Sequence, residues 1–245
     1  MSARPTSAKE RIILPLDFDS LDQAAGVIRK LKDHIGLFKV GLTLFVKEGP
    51  LIMATLEDEV GGDKVFFDLK FHDTPNTVRN ASSAITSRFP VRFVTVHASA
   101  GERILRAAVD AMQGRSKVLA VTVLTSTSEK DSEASGDSLS VKDRVLRCAE
   151  TAKRAGCGGV VCSAQEAGAV KEKCGGDFIV VTPGIRPSSL PVTEDDQQRI
   201  MTPGEAIKNG ADYLVIGRPI YRAGDPVDAA KKVAEEIQEA IEQSS

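Results

Sequence analysis

The chain contains the stretch Val65-Phe66-Phe67-Asp68-Leu69-Lys70-Phe71-His72-Asp73, in which an apolar run meets three charges of alternating sign. The run Val65–Phe67 is aromatic and β-branched and follows a Gly-Gly-Asp turn, which indicates a buried strand. Because side chains alternate along a strand, Asp68 and Lys70 are predicted to point the same way, and Lys70 could lie between the carboxylates of Asp68 and Asp73. Charges at the end of a buried strand are costly to desolvate unless they pair. Such a cluster is more typical of an active site than of an ordinary core.

Apolar runs of this kind recur along the chain, with helical patterns between them. Most are continuously apolar rather than alternating, as expected for parallel strands that are covered on both faces. The eight runs are Ile12–Asp17, Leu37–Val40, Val65–Leu69, Phe93–His97, Val118–Leu124, Gly159–Cys162, Phe178–Thr182 and Tyr213–Ile216. Eight β-then-α units predict an α/β fold, a (β/α)8 TIM barrel formed by one domain over 1–245, with a polar N-terminal tail over 1–10. A doubly wound open sheet is the alternative, and it is weakened because no glycine-rich dinucleotide fingerprint follows the first run.

Three positions carry the signals of a helix start. Ser20 can cap a helix, and Thr74-Pro75 and Asp225-Pro226 each place a proline directly after a residue that can act as N-cap. The helix after Ser20 would bury one face, formed by Leu21, Ala24, Ala25, Ile28 and Leu31.

Composition excludes several classes of protein. With 245 residues, 42% hydrophobic and 27% charged, the chain is long enough to bury a large core. Its net charge of −2 gives no basic footprint, so we expect no nucleic-acid partner. No apolar run approaches about 18 residues and the polar start lacks an apolar signal segment, so we expect no membrane contact and a cytoplasmic location. The four cysteines, Cys148, Cys157, Cys162 and Cys174, lack metal-site spacing and are interpreted as reduced packing residues.

A barrel enzyme builds its active site at the carboxyl ends of its strands. In this chain most of the predicted strands end in polar residues, which would ring one mouth of the barrel. In chain order these are Asp17, Lys39, Asp68 with Lys70, His97, Thr125, Arg186 and Arg218. Lys39 is expected to have a buried partner, although a lysine can also extend its ammonium to the surface. His97 is interpreted as structural, and Thr125 is a weak signal by itself because threonine is common in strands.

The last two strand ends suggest a phosphate site. Barrel enzymes often bind phosphate in the loops after the seventh and eighth strands, near a helix N-terminus. Gly217 lets the backbone approach an anion and Arg218 adds a fork-shaped donor; a turn with a solvated arginine is the alternative. The connection over 186–199 carries Arg186 and Gln197, and its length and polarity predict a lid that closes over the same anion.

On these residues the chain resembles the orotidine 5′-monophosphate decarboxylase family, which performs the last step of de novo UMP synthesis. The matching segments are Leu16-Asp17, Lys39-Val40-Gly41, the run from Asp68 to Val78, Val96-His97-Ala98, Val123 to Ser126, Pro183 to Arg186, Asp196-Gln197 and Val215 to Pro219. The D-x-K-x-x-D core alone is shared with metal-dependent sugar-phosphate decarboxylases and aldolases. In those enzymes an acidic metal ligand tends to occupy the position of Lys39, so the lysine argues against a metal.

The resemblance implies a lyase that acts without cofactor or metal. Asp17 and Lys39 would hold the ribose hydroxyls, and Lys39 would also pair with Asp68, which would lie against the substrate carboxylate. Lys70 would protonate C6 of the pyrimidine as carbon dioxide leaves. Asp73 would reach into the active site of a neighbouring subunit.

The remaining implied contacts orient the nucleotide substrate. Thr125 would contact the pyrimidine edge, and Thr77 would, like Asp73, serve the neighbouring subunit of a homodimer. The residues implied to hold the 5′-phosphate are Arg186, Gln197, Gly217 and Arg218. Two other functions stay open at this point: a metal-dependent sugar-phosphate decarboxylase or aldolase, and a nucleotide-binding regulator without turnover.

Overall fold

Eight parallel strands follow one another around a closed barrel in the order of the chain. The structure, a computed structural model, describes residues 5–129, 139–188 and 199–244. The strands are β1 Ile12–Pro15, β2 Leu37–Gly41, β3 Val65–Phe71, β4 Phe93–His97, β5 Lys117–Val121, β6 Gly159–Val161, β7 Ile179–Thr182 and β8 Tyr213–Val215. The predicted (β/α)8 TIM barrel is therefore confirmed.

Helices follow the strands in the same order. In the described residues they are α1 Leu21–Leu31, α2 Leu42–Glu48, α3 Leu51–Val60, α4 Pro75–Arg88, α5 Glu102–Met112, α6 Val141–Arg154, α7 Ala167–Cys174, α8 Pro203–Lys208, α9 Arg218–Tyr221 and α10 Pro226–Glu242. Short 3-10 turns occupy Lys9–Arg11, Gly62–Lys64, Ala98–Ala100 and Ala164–Glu166. None of these helices is long and apolar enough to cross a membrane.

Two of the three predicted helix starts are capped by the expected side chain. Ser20 accepts a hydrogen bond from the Gln23 backbone, and Asp225 accepts from two backbone N–H groups of the first turn of α10. Thr74 occupies the N-cap position of α4, with Pro75 at the first helical position, but its side chain makes no cap bond. Its hydroxyl lies 3.0 Å from the Thr77 hydroxyl instead.

The core consists of an inner and an outer apolar layer. The inner layer fills the barrel and contains Ile13, Leu37, Phe66, Phe93, Leu119, Ile179, Val181 and Tyr213. Phe93 contacts Phe66 and Tyr213 edge-on, with ring centroids 5.9 and 5.3 Å apart. The larger outer layer lies between strands and helices. The inner aromatic residues close the barrel below its carboxyl-end mouth, so the polar residues of the mouth have an apolar floor.

The pairing of β3 with β4 is irregular at the point where the charges begin. Phe67 is in register with Val94, but the next pair joins Phe71 to Val96, so β3 contains additional residues in between. Lys70 lies in this bulge and has a φ of 52°. A positive φ is uncommon for a residue other than glycine and marks a site where the surroundings hold the backbone.

Candidate active site

A cavity of about 750 Å³ opens at the carboxyl ends of the strands. Of the residues singled out in the sequence, those that line it are Asp17, Lys39, Asp68, Lys70, Thr125, Arg186, Gly217 and Arg218. They come from β2, β3 and the segments that follow β1, β5, β7 and β8, which are far apart in sequence; the first predicted run extends to Asp17, but β1 ends at Pro15. The closed barrel brings them together because all eight strands point their carboxyl ends at one mouth.

Four side chains, one after β1 and three from β2 and β3, form a continuous row of alternating charge. The Lys39 ammonium lies 3.7 Å from Asp17 Oδ1 and 3.4 Å from Asp68 Oδ2. Lys70 Nζ lies 2.9 Å from the same Asp68 oxygen. Lys39 and Asp68 are nearly inaccessible, with side-chain exposures of 11% and 8%, whereas Lys70 is 29% exposed and faces the cavity. Each buried charge therefore has an opposite charge as its neighbour.

Asp68 is held on both of its carboxylate oxygens. Oδ2 faces the two lysines, and Oδ1 accepts a hydrogen bond of 2.9 Å from the Thr95 hydroxyl. Burial by itself raises the pKa of this carboxyl, but Lys39, Lys70 and the hydrogen bonds from Lys70 and Thr95 together hold it below the ordinary value. Asp68 is thus a buried anion at neutral pH.

The end of β2 leaves room for the row of charges at a glycine. A Cβ atom at Gly41 would lie 2.9 Å from Lys39 Nζ and 3.3 Å from Asp17 Oδ1. The absent side chain at this position allows the Lys39 ammonium to lie between its two carboxylates.

The part of the cavity that follows β7 and β8 is cationic and glycine-rich. Arg186 and Arg218 line it together with Gly184 and Gly217. Gly184 has a φ of 78°, and a Cβ at Gly217 would lie 2.7 Å from Pro15 Cγ. Gly217 directly precedes α9, which begins at Arg218. Backbone and guanidinium donors thus follow two neighbouring strands and line the same cavity, which suits an anion.

The wall formed by β5 and β6 is largely apolar. It contributes Val121, Val123, Val161 and Cys162, with the buried Thr125 at its edge. Burial raises the pKa of the Cys162 thiol, so this residue packs as a neutral group. All four cysteines are reduced thiols, as the sequence predicts. A flat apolar ring with a polar edge fits such a wall.

Two of the predicted site residues lie outside this cavity. Asp73 and Thr77 are exposed near the start of α4, and Asp73 accepts a 2.6 Å hydrogen bond from the Thr74 backbone. The Thr74 backbone and the Thr77 hydroxyl both lower the pKa of Asp73. Within one chain, Lys70 therefore pairs with Asp68 and not with Asp73, because the chain turns away from the barrel after Phe71 to begin α4.

Gln197 and residues 189–198 of the 186–199 connection lie outside the described residues. The connection begins at Arg186, whose backbone N–H donates to the Met201 carbonyl, so the two ends of the connection lie close together.

His97 lies at the end of β4, as predicted, and it is not among the residues that line the cavity. Its ring centroid is 5.6 Å from that of His72. Burial, and then the nearby His72 and Lys70, lower the pKa of His97. The structural interpretation of His97 stays a prediction.

Sequence reasoning missed Thr95, which is fully buried in β4 and touches both Asp68 and Lys70. Its only sequence signal is a hydroxyl within the apolar run Phe93-Val94-Thr95-Val96. It also missed Cys162 and Tyr221 as lining residues. Within 5–129, 139–188 and 199–244, no group of three or more His, Cys, Asp or Glu side chains is arranged to hold a metal ion.

Comparisons with known proteins identify relatives over most of the chain. A relative from Desulfosudis oleivorans, named orotidine 5′-phosphate decarboxylase, is 44% identical over 237 residues, which are 95% of each chain. A relative of the same name from Syntrophomonas wolfei is 44% identical over 242 residues, 95% of this chain and 99% of that one. The crystal structure of orotidine 5′-phosphate decarboxylase from Lactobacillus acidophilus superposes with a TM-score of 0.80 at 34% identity, covering 96% of this chain and 99% of that one.

The chain also matches a model of a whole protein family. Residues 10–233, which include the complete barrel, match the family described as orotidine 5′-phosphate decarboxylase / HUMPS. Because this match and the similarity to the relatives both span most of the sequence, the chain belongs to the orotidine 5′-phosphate decarboxylase / HUMPS family.

Proposed function

We propose that this protein converts orotidine 5′-monophosphate to UMP and carbon dioxide, the last step of de novo UMP synthesis. One observation carries the proposal: an alternating row of paired charges ends at Lys70 in a cavity that Arg186 and Arg218 also line. The relatives named above support it, because they bear the name of this activity.

The cavity suggests how the nucleotide is oriented. Arg186, Gly217 and Arg218 would bind the 5′-phosphate, with Gln197 as a further ligand. Asp17 and Lys39 would hold the ribose hydroxyls. The pyrimidine would then lie along the apolar wall, with its edge against Thr125 and its C6 near Lys70.

The chemistry requires a cation and a proton at C6. When the bond between C6 and the carboxylate breaks, carbon dioxide leaves and the electron pair stays on C6. Lys70 Nζ would stabilise that charge and donate its proton to C6, and water would then reprotonate the neutral amine. Asp68 lies 2.9 Å from Lys70 Nζ and holds this group at the cavity.

No single contact can account for catalysis of such a reaction. Enzymes commonly lower barriers by about 8–23 kcal/mol, and a carbanion without an electron sink demands the upper part of that range. One hydrogen bond to a charged group contributes about 1.5–3 kcal/mol. We therefore infer that the fixed row of charges acts together with binding energy from the remote phosphate.

We also propose a homodimer in which Asp73 and Thr77 complete the neighbouring site. Both are exposed and lie outside the cavity of their own chain. The segment that follows β2, the strand beside β3, exposes three large apolar side chains. These are Leu42, Val46 and Leu51, with exposed fractions of 55%, 79% and 57%. Exposed apolar residues beside exposed functional ones support an interface there. The cytoplasmic location expected from the sequence stays a prediction.

The metal-dependent sugar-phosphate alternative is not favoured. An ammonium, Lys39, lies between Asp17 and Asp68, and it would repel a divalent cation from these carboxylates. The test is the loss of orotidine 5′-monophosphate absorbance on addition of the purified protein, with and without EDTA. Equal turnover in both samples supports the proposal. Strict dependence on an added divalent metal would support the alternative, and binding of UMP without turnover would indicate a regulator.

A further inference from the structure

One uncharged residue, Thr95, is bonded to two members of the charged row. It lies in the middle of β4, two residues after Phe93, so its side chain projects into the barrel on the same side as that inner-layer residue. The residue is 0% exposed. Its hydroxyl donates to Asp68 Oδ1 at 2.9 Å and accepts from the Lys70 backbone N–H at 2.9 Å. Burying a hydroxyl costs free energy unless the hydroxyl forms hydrogen bonds, and that of Thr95 forms one as donor and one as acceptor.

The bond to Asp68 fixes the plane of its carboxylate. Both lysines approach Oδ2, so they leave rotation about the terminal torsion of Asp68 weakly defined. The Thr95 hydroxyl holds Oδ1 from the other side. With both oxygens held, the carboxylate presents one defined oxygen to Lys39 and Lys70.

The bond to Lys70 stabilises the irregular backbone of β3. Regular pairing with β4 is interrupted between Phe67 and Phe71, and Lys70 lies in this interruption with a φ of 52°. Its N–H finds an acceptor in the side chain of Thr95. The direction in which the Lys70 side chain leaves the backbone therefore depends on this hydroxyl.

We propose that Thr95 is a positioning residue of the decarboxylation, which sets the placement of the Lys70 ammonium relative to the reacting carbon through these two hydrogen bonds. Thr95 lies behind the residues that line the cavity, so it acts through Asp68 and Lys70 rather than on the substrate. The proposal rests on the proposed function. It adds a residue whose role is to hold the proton donor and its partner.

The test compares Thr95→Val, which removes both hydrogen bonds at nearly constant volume, with Thr95→Ser, which keeps the hydroxyl. We expect kcat of Thr95→Val to fall by about 10- to 150-fold, the effect of one hydrogen bond to a charged group. KM should change little, because the phosphate contacts are remote, and Thr95→Ser should recover most of kcat. The matched control is Thr182→Val, since Thr182 is equally buried and its hydroxyl donates to the Tyr213 carbonyl, away from the charged row.

A pH profile separates positioning from loss of stability. The hydrogen bond from the Thr95 hydroxyl is one of the interactions that lower the pKa of Asp68. Removing this hydrogen bond should therefore raise the pKa of Asp68. The charged groups facing Asp68 are Lys39 and Lys70, with His97 nearby at the end of β4, and they remain in the variant. We expect the acid limb of kcat/KM to move to higher pH in Thr95→Val and to stay in place in Thr182→Val.

Each outcome decides between the interpretations. A Thr95→Val enzyme that loses thermal stability but keeps kcat and the acid limb overturns the proposal. If Thr95→Val does not fold, Thr95→Cys takes its place, because a thiol is a weak donor and acceptor, and unchanged kcat in that variant overturns the proposal. Absence of turnover by the unmodified protein overturns the proposed function itself, whereas normal turnover with an unaffected Thr95→Val overturns only this inference.

Discussion

Lys70 Nζ lies 2.9 Å from Asp68 Oδ2, although the Lys70 backbone has a φ of 52° and interrupts the strand that both residues share. Simple alternation would also place the two side chains on one face. The bulge changes the direction of the backbone at Lys70. The Lys70 N–H donates to the Thr95 hydroxyl, which in turn donates to the buried Asp68 carboxylate, and these hydrogen bonds stabilise the irregular backbone. Irregular backbone of this kind is concentrated at functional sites, where it directs a particular side chain.

The space left by Gly41 gives a first prediction. In Gly41→Ala the new Cβ would lie 2.9 Å from Lys39 Nζ, so the flexible lysine must move out of its place between Asp17 and Asp68. The Gly41 backbone has a φ of −97°, which alanine adopts without strain. We expect activity to fall by about 10²-fold, as for a small misplacement of a catalytic group, with little change in Tm.

The control for this variant is Gly26→Ala. Gly26 lies within α1 and has nothing within 4 Å of an added Cβ. Alanine should stabilise the helix there by up to about 1 kcal/mol and leave kcat/KM unchanged. Equal activity of the Gly41→Ala and Gly26→Ala proteins would show that the position of Lys39 does not matter.

The barrel was predictable because its signals are local. A short, continuously apolar run identifies a buried parallel strand without knowledge of its neighbours. For β4 the predicted range Phe93–His97 is the observed one. For β5 the apolar run extends to Leu124 but the strand ends at Val121, because the residues beyond it leave the ladder to line the mouth. Hydrophobicity reports burial, and burial continues past the last strand pair to Val123, whereas Leu124 is exposed.

The site was predictable to the extent that the fold determines it. Once the barrel is known, residues at strand ends such as Lys39 and Arg218 must converge, and they do. The bulge at Lys70 and the contacts of Thr95 arise from the register between β3 and β4. That register is a relation between two distant segments, and a single sequence contains no local signal for it.

Arg218 provides a second prediction. Arg218→Ala should reduce kcat/KM for the phosphorylated substrate by roughly 2–4 kcal/mol, because a charge-assisted pair with the phosphate is lost. The measurement is repeated with the unphosphorylated nucleoside, which never makes this contact. An equal effect on both substrates would mean that Arg218 is structural and that the phosphate lies elsewhere.

The cysteines provide a third prediction, about reactivity. Burial raises the pKa of Cys157 from 9.0 to about 12, and it also raises the pKa of Cys162 and Cys174. All three are buried, whereas Cys148 is half-buried. At pH 8 we expect a thiol reagent such as DTNB to label Cys148 alone in the native protein and all four cysteines after denaturation.

The same pKa shift has a consequence for stability. Because the folded pKa of Cys157 is raised, its contribution to stability is complete below the unfolded value of 9.0 and is lost as pH rises toward about 12. Cys157→Ala should therefore lose less stability than the unmodified protein over that range in urea unfolding. Rapid labelling of Cys157 in the native protein at pH 8 would contradict the assignment.

The fourth prediction concerns the proposed sharing of active sites. Lys70→Ala removes the proton donor and Asp73→Asn removes a carboxylate that the partner's site needs, so each variant should be nearly inactive alone. In a mixed dimer, one site contains both changes. The other site combines the unmodified Lys70 of one chain with the unmodified Asp73 of its partner, and it is intact.

The shared-site proposal predicts what fraction of active sites regains activity when the two variants are mixed. With equal amounts of the two variants and random exchange, about half of the dimers are mixed, so about one quarter of all sites should work. The measurement is the decarboxylation rate after subunit exchange, confirmed by differently tagged chains. Mixing Lys70→Ala with itself under the same conditions is the control. If confirmed mixed dimers are as inactive as the separate variants, Asp73 serves the site of its own chain, although it lies outside that cavity in the single chain, and the shared site is refuted.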